Sequence, residues 1–197
     1  MKCSIGRVDL YPSFIVLLSA SAYFGSLGLL AALLVAAAVH EFGHIAAAWC
    51  TSRHLDRLTL TALGAELTLE GESISASFFQ DLLLSLSGPA ANLLLAAVSS
   101  ATHQFPLLIG ANLLLGCFNL LPVTPLDGGC ALFSLLSWLT NLEWADRLTS
   151  CVSKGFSLGV ILWGIVLLLL PGGKPWLLVM GFWLASASFH LSKSSNF

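Results

Sequence analysis

Ala36-Ala37-Ala38-Val39-His40-Glu41-Phe42-Gly43-His44-Ile45-Ala46-Ala47 closes a long apolar run and decides how the rest of the chain is read. On a helix, positions i and i+4 share a face, so His40 and His44 can offer imidazole nitrogens to one ion. Glu41 points about 100° further round the helix. From there it can serve as a general base without being a ligand. His-Glu-x-x-His at this spacing is the signature of a zinc hydrolase. Two surface histidines on a soluble helix are the plain alternative. The flanks argue against that, because ionisable groups inside apolar spans are costly, rare and usually functional.

Composition sets the solvent. The 197 residues are 57% hydrophobic and 9% charged, with a mean hydropathy of +0.90. A soluble domain carries about 25% charged residues. The expected class is therefore an all-α integral membrane protein in contact with the lipid bilayer, forming one membrane-embedded domain over 1–197. The formal charge of -2 and the absence of a basic run give no sign of nucleic acid as a partner. Five cysteines, Cys3, Cys50, Cys117, Cys130 and Cys151, form no CxxC spacing and read as free, small apolar residues.

About six transmembrane helices are expected, over 11–25, 28–49, 81–101, 107–121, 155–170 and 176–191. Lys2 and Arg7 before an apolar stretch, with Ala20-Ser21-Ala22 beyond, resemble a cleavable leader. A second apolar run follows almost at once, which favours a retained helical hairpin. Residues 58–70 alternate apolar and polar around Gly64, the period of a short strand-like hairpin near the membrane surface. Residues 130–140 suit a short helix, and 141–154 a polar connection. Gly155 and Gly159 make a GxxxG packing pattern. With a cytoplasmic N-terminus, Lys2, Arg7, Arg53, Arg57, Arg147, Lys154 and Lys193 fall inside and Lys174 outside. That topology puts the ends of spans two and four on the same cytoplasmic side.

The end of span four is the second unusual stretch. Asn119-Leu120-Leu121-Pro122-Val123-Thr124-Pro125-Leu126-Asp127-Gly128-Gly129 holds two prolines and two glycines, which break the helix. Irregular backbone at membrane depth is tolerated where protein buries it or where it lines a wet cavity. A zinc site with two histidines takes one more protein ligand, and Asp127 is the best candidate. Glu66, Glu70, Glu72, Asp81, Glu143 and Asp146 lie in polar stretches or at their edges. Asn92, within Ser87-Gly88-Pro89-Ala90-Ala91-Asn92, needs a partner in hydrocarbon, either another helix or a substrate. Asn119 divides in the same way between a structural hydrogen bond and a substrate carbonyl.

Taken in order, His40-Glu41-Phe42-Gly43-His44, Ser87 through Asn92, and Asn119 through Gly129 resemble the site-2 protease (M50) family of intramembrane zinc metalloproteases. The resemblance covers a catalytic core of about 28–140. It implies that His40, His44 and Asp127 bind one Zn2+ and that Glu41 activates water. It also puts Asn119 and Asn92 near the substrate path. The layout is most similar to the branch containing a sporulation sigma-factor-processing protease. A transmembrane protein substrate, a membrane regulator, and processing of a pro-sigma or anti-sigma factor are what that branch implies. Neither a CBS nor a PDZ domain is expected. Two other readings stand beside it. A metal transporter or sensor needs a polar path across the bilayer, and the outer halves of the spans offer almost none. An idle membrane scaffold has no use for Glu41.

Overall fold

A computed structural model describes residues 3–5, 8–10, 26–51, 55–61, 64–69, 77–101, 105–170 and 175–194. The expected first span, 11–25, lies outside the described residues. Four short strands, β1 (Cys3–Ile5), β2 (Val8–Leu10), β3 (Leu55–Thr61) and β4 (Gly64–Leu69), form one sheet in the order β1-β2-β3-β4. β3 and β4 pair antiparallel, with Thr61 opposite Gly64 and an irregularity between Leu55 and Arg57. β2 runs parallel to β3, with Val8 opposite Leu58, and β1 returns antiparallel to β2.

The helices are α1 (Leu27–Cys50), α2 (Phe78–Ala101), α3 (Pro106–Asn119), α4 (Asp127–Leu139), α5 (Leu142–Leu169) and α6 (Trp176–Ser194). Among the described residues α1, α2 and α5 are long and apolar enough to cross a membrane. Their large side chains point outward: Leu27, Leu94, Leu162 and Leu169 are all more than half exposed. Small and polar residues take the inner faces instead. That inversion belongs to an integral membrane protein, where lipid covers the apolar surface and small residues let helices approach.

Contacts divide the chain into two compact units. The first comprises 1–76 and 87–118, and so holds the sheet, α1, the larger part of α2, and α3 up to Phe118. Ser26 caps α1 by accepting from the Leu29 N–H at 3.1 Å. The buried face of α1 is Ala32, Ala36, His40, Gly43, His44 and Ala48, one stripe at helical spacing. Ala32 and Ala36 pack with Ala111 of α3, and Leu115 lies against them.

The second unit comprises 77–86 and 119–197. Here the expected polar connection over 141–154 is corrected, because it is the first half of α5. Asn141 caps that helix by accepting from the Trp144 N–H at 2.9 Å. Ala145, Thr149, Ser153 and Ser157 then repeat every four residues along its buried face. The charges that suggested a loop sit on the remaining surface of the same helix. The expected GxxxG face is corrected as well. Among the described residues nothing lies within 4 Å of a Cβ placed at Gly155 or Gly159. The close approach of α5 to α6 instead uses Gly164, where a Cβ would come within 2.8 Å of the Leu178 amide nitrogen. Gly181 would bring a Cβ to 2.8 Å from Ile161.

Candidate metal centre

The first unit holds the two histidines. His40 and His44 are both buried, and their Nε2 atoms stand 3.2 Å apart. The rings meet edge to face, at 79° between planes. Two nitrogens each bonded about 2.0–2.1 Å from one tetrahedral zinc would stand roughly 3.3 Å apart. The observed spacing therefore fits two ligands on a single ion.

The ring of His40 is fixed from behind. Its Nδ1 lies 2.7 Å from Oδ1 of Asn92. An amide oxygen only accepts, so Nδ1 carries the hydrogen and donates. In a neutral imidazole the lone pair is then on Nε2, the atom that faces His44. A metal-binding histidine usually donates its other ring N–H in this way, which fixes the orientation of the ring. Nδ1 of His44 has the Ser87 hydroxyl at 3.4 Å. A hydroxyl can donate or accept, so it suits either state of that ring.

Two glycines make room. A Cβ on Gly88 would run into the His44 imidazole. One on Gly43 would come within 2.9 Å of the Ala91 Cβ and 3.0 Å of the Gly88 Cα. In the first unit α1 thus lies almost backbone to backbone against residues 87–91 of α2. Pro89 sits inside that contact, fully buried, and α2 runs through it unbroken. Glu41 is half-buried on α1, one residue round from the histidine face.

The second unit holds Asp127, half-buried as the first residue of α4. The helix macrodipole favours a carboxylate in that turn. The preceding loop is closed by its own backbone. The Val123 N–H donates to Leu121 O at 2.7 Å, Leu126 N–H to Val123 O at 2.8 Å, and Gly129 N–H to Leu126 O at 2.9 Å. A Cβ on Gly128 would strike the backbone of Leu120, and one on Gly129 that of Thr124. Two serines tie the loop to helices of the same unit. Ser153 Oγ of α5 accepts from the Thr124 N–H at 3.2 Å, and Ser188 of α6 donates to Thr124 O at 3.0 Å. An open cavity of about 340 Å³ has Asp81, Thr124 and Cys130 in its wall.

The two asparagines have different settings. Asn92 is fully buried and bonded between helices: its Oδ1 accepts from His40, and its Nδ2 donates to Ala36 O and to Asn112 Oδ1, each at 2.8 Å. Asn119 ends α3 and is half-buried. Asn112, also fully buried, is the residue that sequence reading missed. Its signal was the same as that of Asn92, an amide within an apolar helix.

Residues 96–162 match the description Peptidase family M50. The chain is 34% identical over 174 residues to sll0528 of Synechocystis sp., whose name is that of a zinc metalloprotease, covering 80% of this chain and 45% of that one. It is 30% identical over 173 residues to stage IV sporulation protein FB of Bacillus subtilis, covering 84% and 59%. The chain thus spans about half the length of these relatives. Its fold matches the solved site-2 protease from Methanocaldococcus jannaschii with a TM-score of 0.69 at 22% identity, covering 96% of this chain and 94% of that one.

Proposed function

We propose that the chain is a peptidase family M50 protein, in keeping with the match over residues 96–162 and the similarity to its relatives, and that it is an intramembrane zinc metalloprotease cleaving a peptide bond in or near the transmembrane segment of a membrane protein. The observation that carries this reading is the buried histidine pair, 3.2 Å apart at Nε2, with the His40 lone pair turned inward. His40 and His44 from the first unit, with Asp127 from the second, are the proposed ligand set. Two imidazoles and a carboxylate suit zinc. Zinc, when bound, supplies a Lewis acid that polarises the scissile carbonyl.

The remaining steps fall to the chain. Glu41 takes a proton from the attacking water as its oxygen bonds to the carbonyl carbon. It gives that proton to the leaving amine as the C–N bond breaks. A helical substrate must first unwind, since its carbonyls are held by its own hydrogen bonds. Among the described residues β4 is paired on one side, by β3. Its other edge holds the substrate extended, as in strand addition. Six spans, with the site toward the cytoplasm of a bacterial cell, agree with the distribution of positive charge. A pro-sigma or anti-sigma factor is the substrate class that accords with the sporulation relative. Asn119 lies on the substrate path, and a membrane regulator controls access.

Co-expression with candidate single-span membrane proteins tests the reading. A product that forms with native Glu41 and not with Glu41→Gln, at matched protein levels, supports it. The same product from both chains overturns it in favour of a scaffold. Metal flux into vesicles bearing the purified chain would favour a transporter.

A further inference from the structure

We propose that Asn112 is a positioning residue for the metal centre, orienting the Asn92 amide and, through it, holding His40 with its hydrogen on Nδ1 and its lone pair on Nε2. The inference rests on the zinc reading above and adds to it a residue from a third helix.

Amide groups are normally ambiguous, because oxygen and nitrogen look alike. Here two backbone carbonyls remove the ambiguity, since a carbonyl can only accept. Asn112 has one end of its amide 2.9 Å from Leu108 O. That end must be Nδ2, so the other is Oδ1. Oδ1 faces Asn92 at 2.8 Å, and the atom it meets must donate. That end of Asn92 is therefore Nδ2, and its second hydrogen goes to Ala36 O at 2.8 Å. Oδ1 of Asn92 is left for His40, and Nδ1 of His40 must donate to it at 2.7 Å. Each bond in the series donates one way, from the imidazole through Asn92 and Asn112 to the α3 backbone.

Both asparagines are fully buried, so water does not offer a substitute partner. Small residues make the reach short. Ala36 and Ala111 lie in one buried cluster, and a Cβ on Gly116 would come within 3.2 Å of the Asn92 Cβ. Without Asn112, one N–H of Asn92 loses its acceptor. The amide is then oriented by Ala36 O alone. The preference of His40 for hydrogen on Nδ1 weakens accordingly.

The test uses the full chain in lipid nanodiscs, stripped of metal, with side-chain 15N-labelled histidine and His54, His103 and His190 replaced by glutamine. The 15N shifts of His40 report which ring nitrogen carries hydrogen, whether or not zinc binds. In that background Asn112 is expected to give hydrogen on Nδ1, and Asn112→Leu a mixture of both forms. Asn112→Asp, neutral when buried, keeps an acceptor for Asn92 and a donor for Leu108 O, and should restore the native form. Zinc affinity, measured by competition with a chromophoric chelator, should fall about ten-fold in Asn112→Leu, the low end for outer-shell partners. It should return toward the native value in Asn112→Asp. Hydrogen on Nε2 of His40 in the native chain overturns the inference. So does an unchanged His40 in Asn112→Leu, or equal loss in both variants. If the tautomer responds as expected but the native chain does not bind zinc, the orienting role of Asn112 stands and the metalloprotease reading fails.

Discussion

Two segments supply the proposed ligands, and they are held in opposite ways. His40 and His44 sit mid-helix, where the backbone is already satisfied, and side-chain amides from other helices fix the ring. Asp127 opens a helix after an irregular loop, and there the backbone itself is the fixing device, through short turns and glycines pressed against carbonyls. A histidine needs this help because its ring has two nitrogens and only one is useful at a time. A carboxylate has two equivalent oxygens, so its position matters more than its tautomer. The difference teaches where each region is vulnerable: the histidine side to loss of a polar partner, the aspartate side to added bulk.

The largest effect is expected at Glu41, the proposed general base. Glu41→Gln should reduce cleavage by about 10²–10⁴-fold, the usual contribution of a general base, while zinc stays bound. His44→Ala should remove cleavage and zinc together, as should treating the native chain with a chelator. Metal analysis of the purified proteins, alongside product formation, separates the two kinds of loss. If Glu41→Gln also lost its zinc, Glu41 would belong with the ligands rather than beside them.

Removing a polar partner comes next. Asn92→Leu takes the acceptor from His40 and is expected to cost roughly 10–100-fold in zinc affinity. In the other region the loop before Asp127 is closed by its own backbone turns. Bulk is the matching perturbation there. Gly128→Ala should destabilise the second unit by about 1–3 kcal/mol, because the new methyl meets the Leu120 backbone, which cannot swing aside. Thermal unfolding in detergent measures it. Equal sensitivity of both regions to Asn→Leu and Gly→Ala changes would dissolve the contrast.

The contrast also explains what could be read from the sequence. His40, Glu41 and His44 were legible because their relation is local, set by helical spacing alone. Pro122, Pro125 and Gly128-Gly129 announced a break that lies between α3 and α4. Asn92 stood out as an amide in an apolar span, but its partners are 56 and 20 residues away, so its role waited for the fold. Asn112 gave the same signal and was passed over, because nothing local links it to a histidine 72 positions earlier in the chain. Over 141–154 charge density points to a loop, whereas the four-residue repeat of Ala145, Thr149 and Ser153 is the buried face of α5. Gly155 and Gly159 match a packing motif by spacing, yet no described residue packs against them. Spacing shows that a close approach is allowed and not which neighbour uses it.

The smallest effect sharpens the comparison most, since it asks whether the loop before Asp127 also depends on side chains. Thr124 is held on both sides of its peptide backbone, its N–H by Ser153 and its carbonyl by Ser188. Ser153 is fully buried, so Ser153→Ala leaves the Thr124 N–H without that acceptor. A hydrogen bond of this kind contributes about 1 kcal/mol net. The adjacent turns, Val123 to Leu121 and Leu126 to Val123, are untouched by the change. The loop should therefore keep its path, with a loss of about 1 kcal/mol in stability and at most a few-fold in cleavage. Ser188→Ala should do less, because a carbonyl tolerates a missing donor better than an N–H tolerates a missing acceptor. A loss of zinc in Ser153→Ala as large as that in Asn92→Leu would mean that the serines, and not the backbone turns, set the position of Asp127.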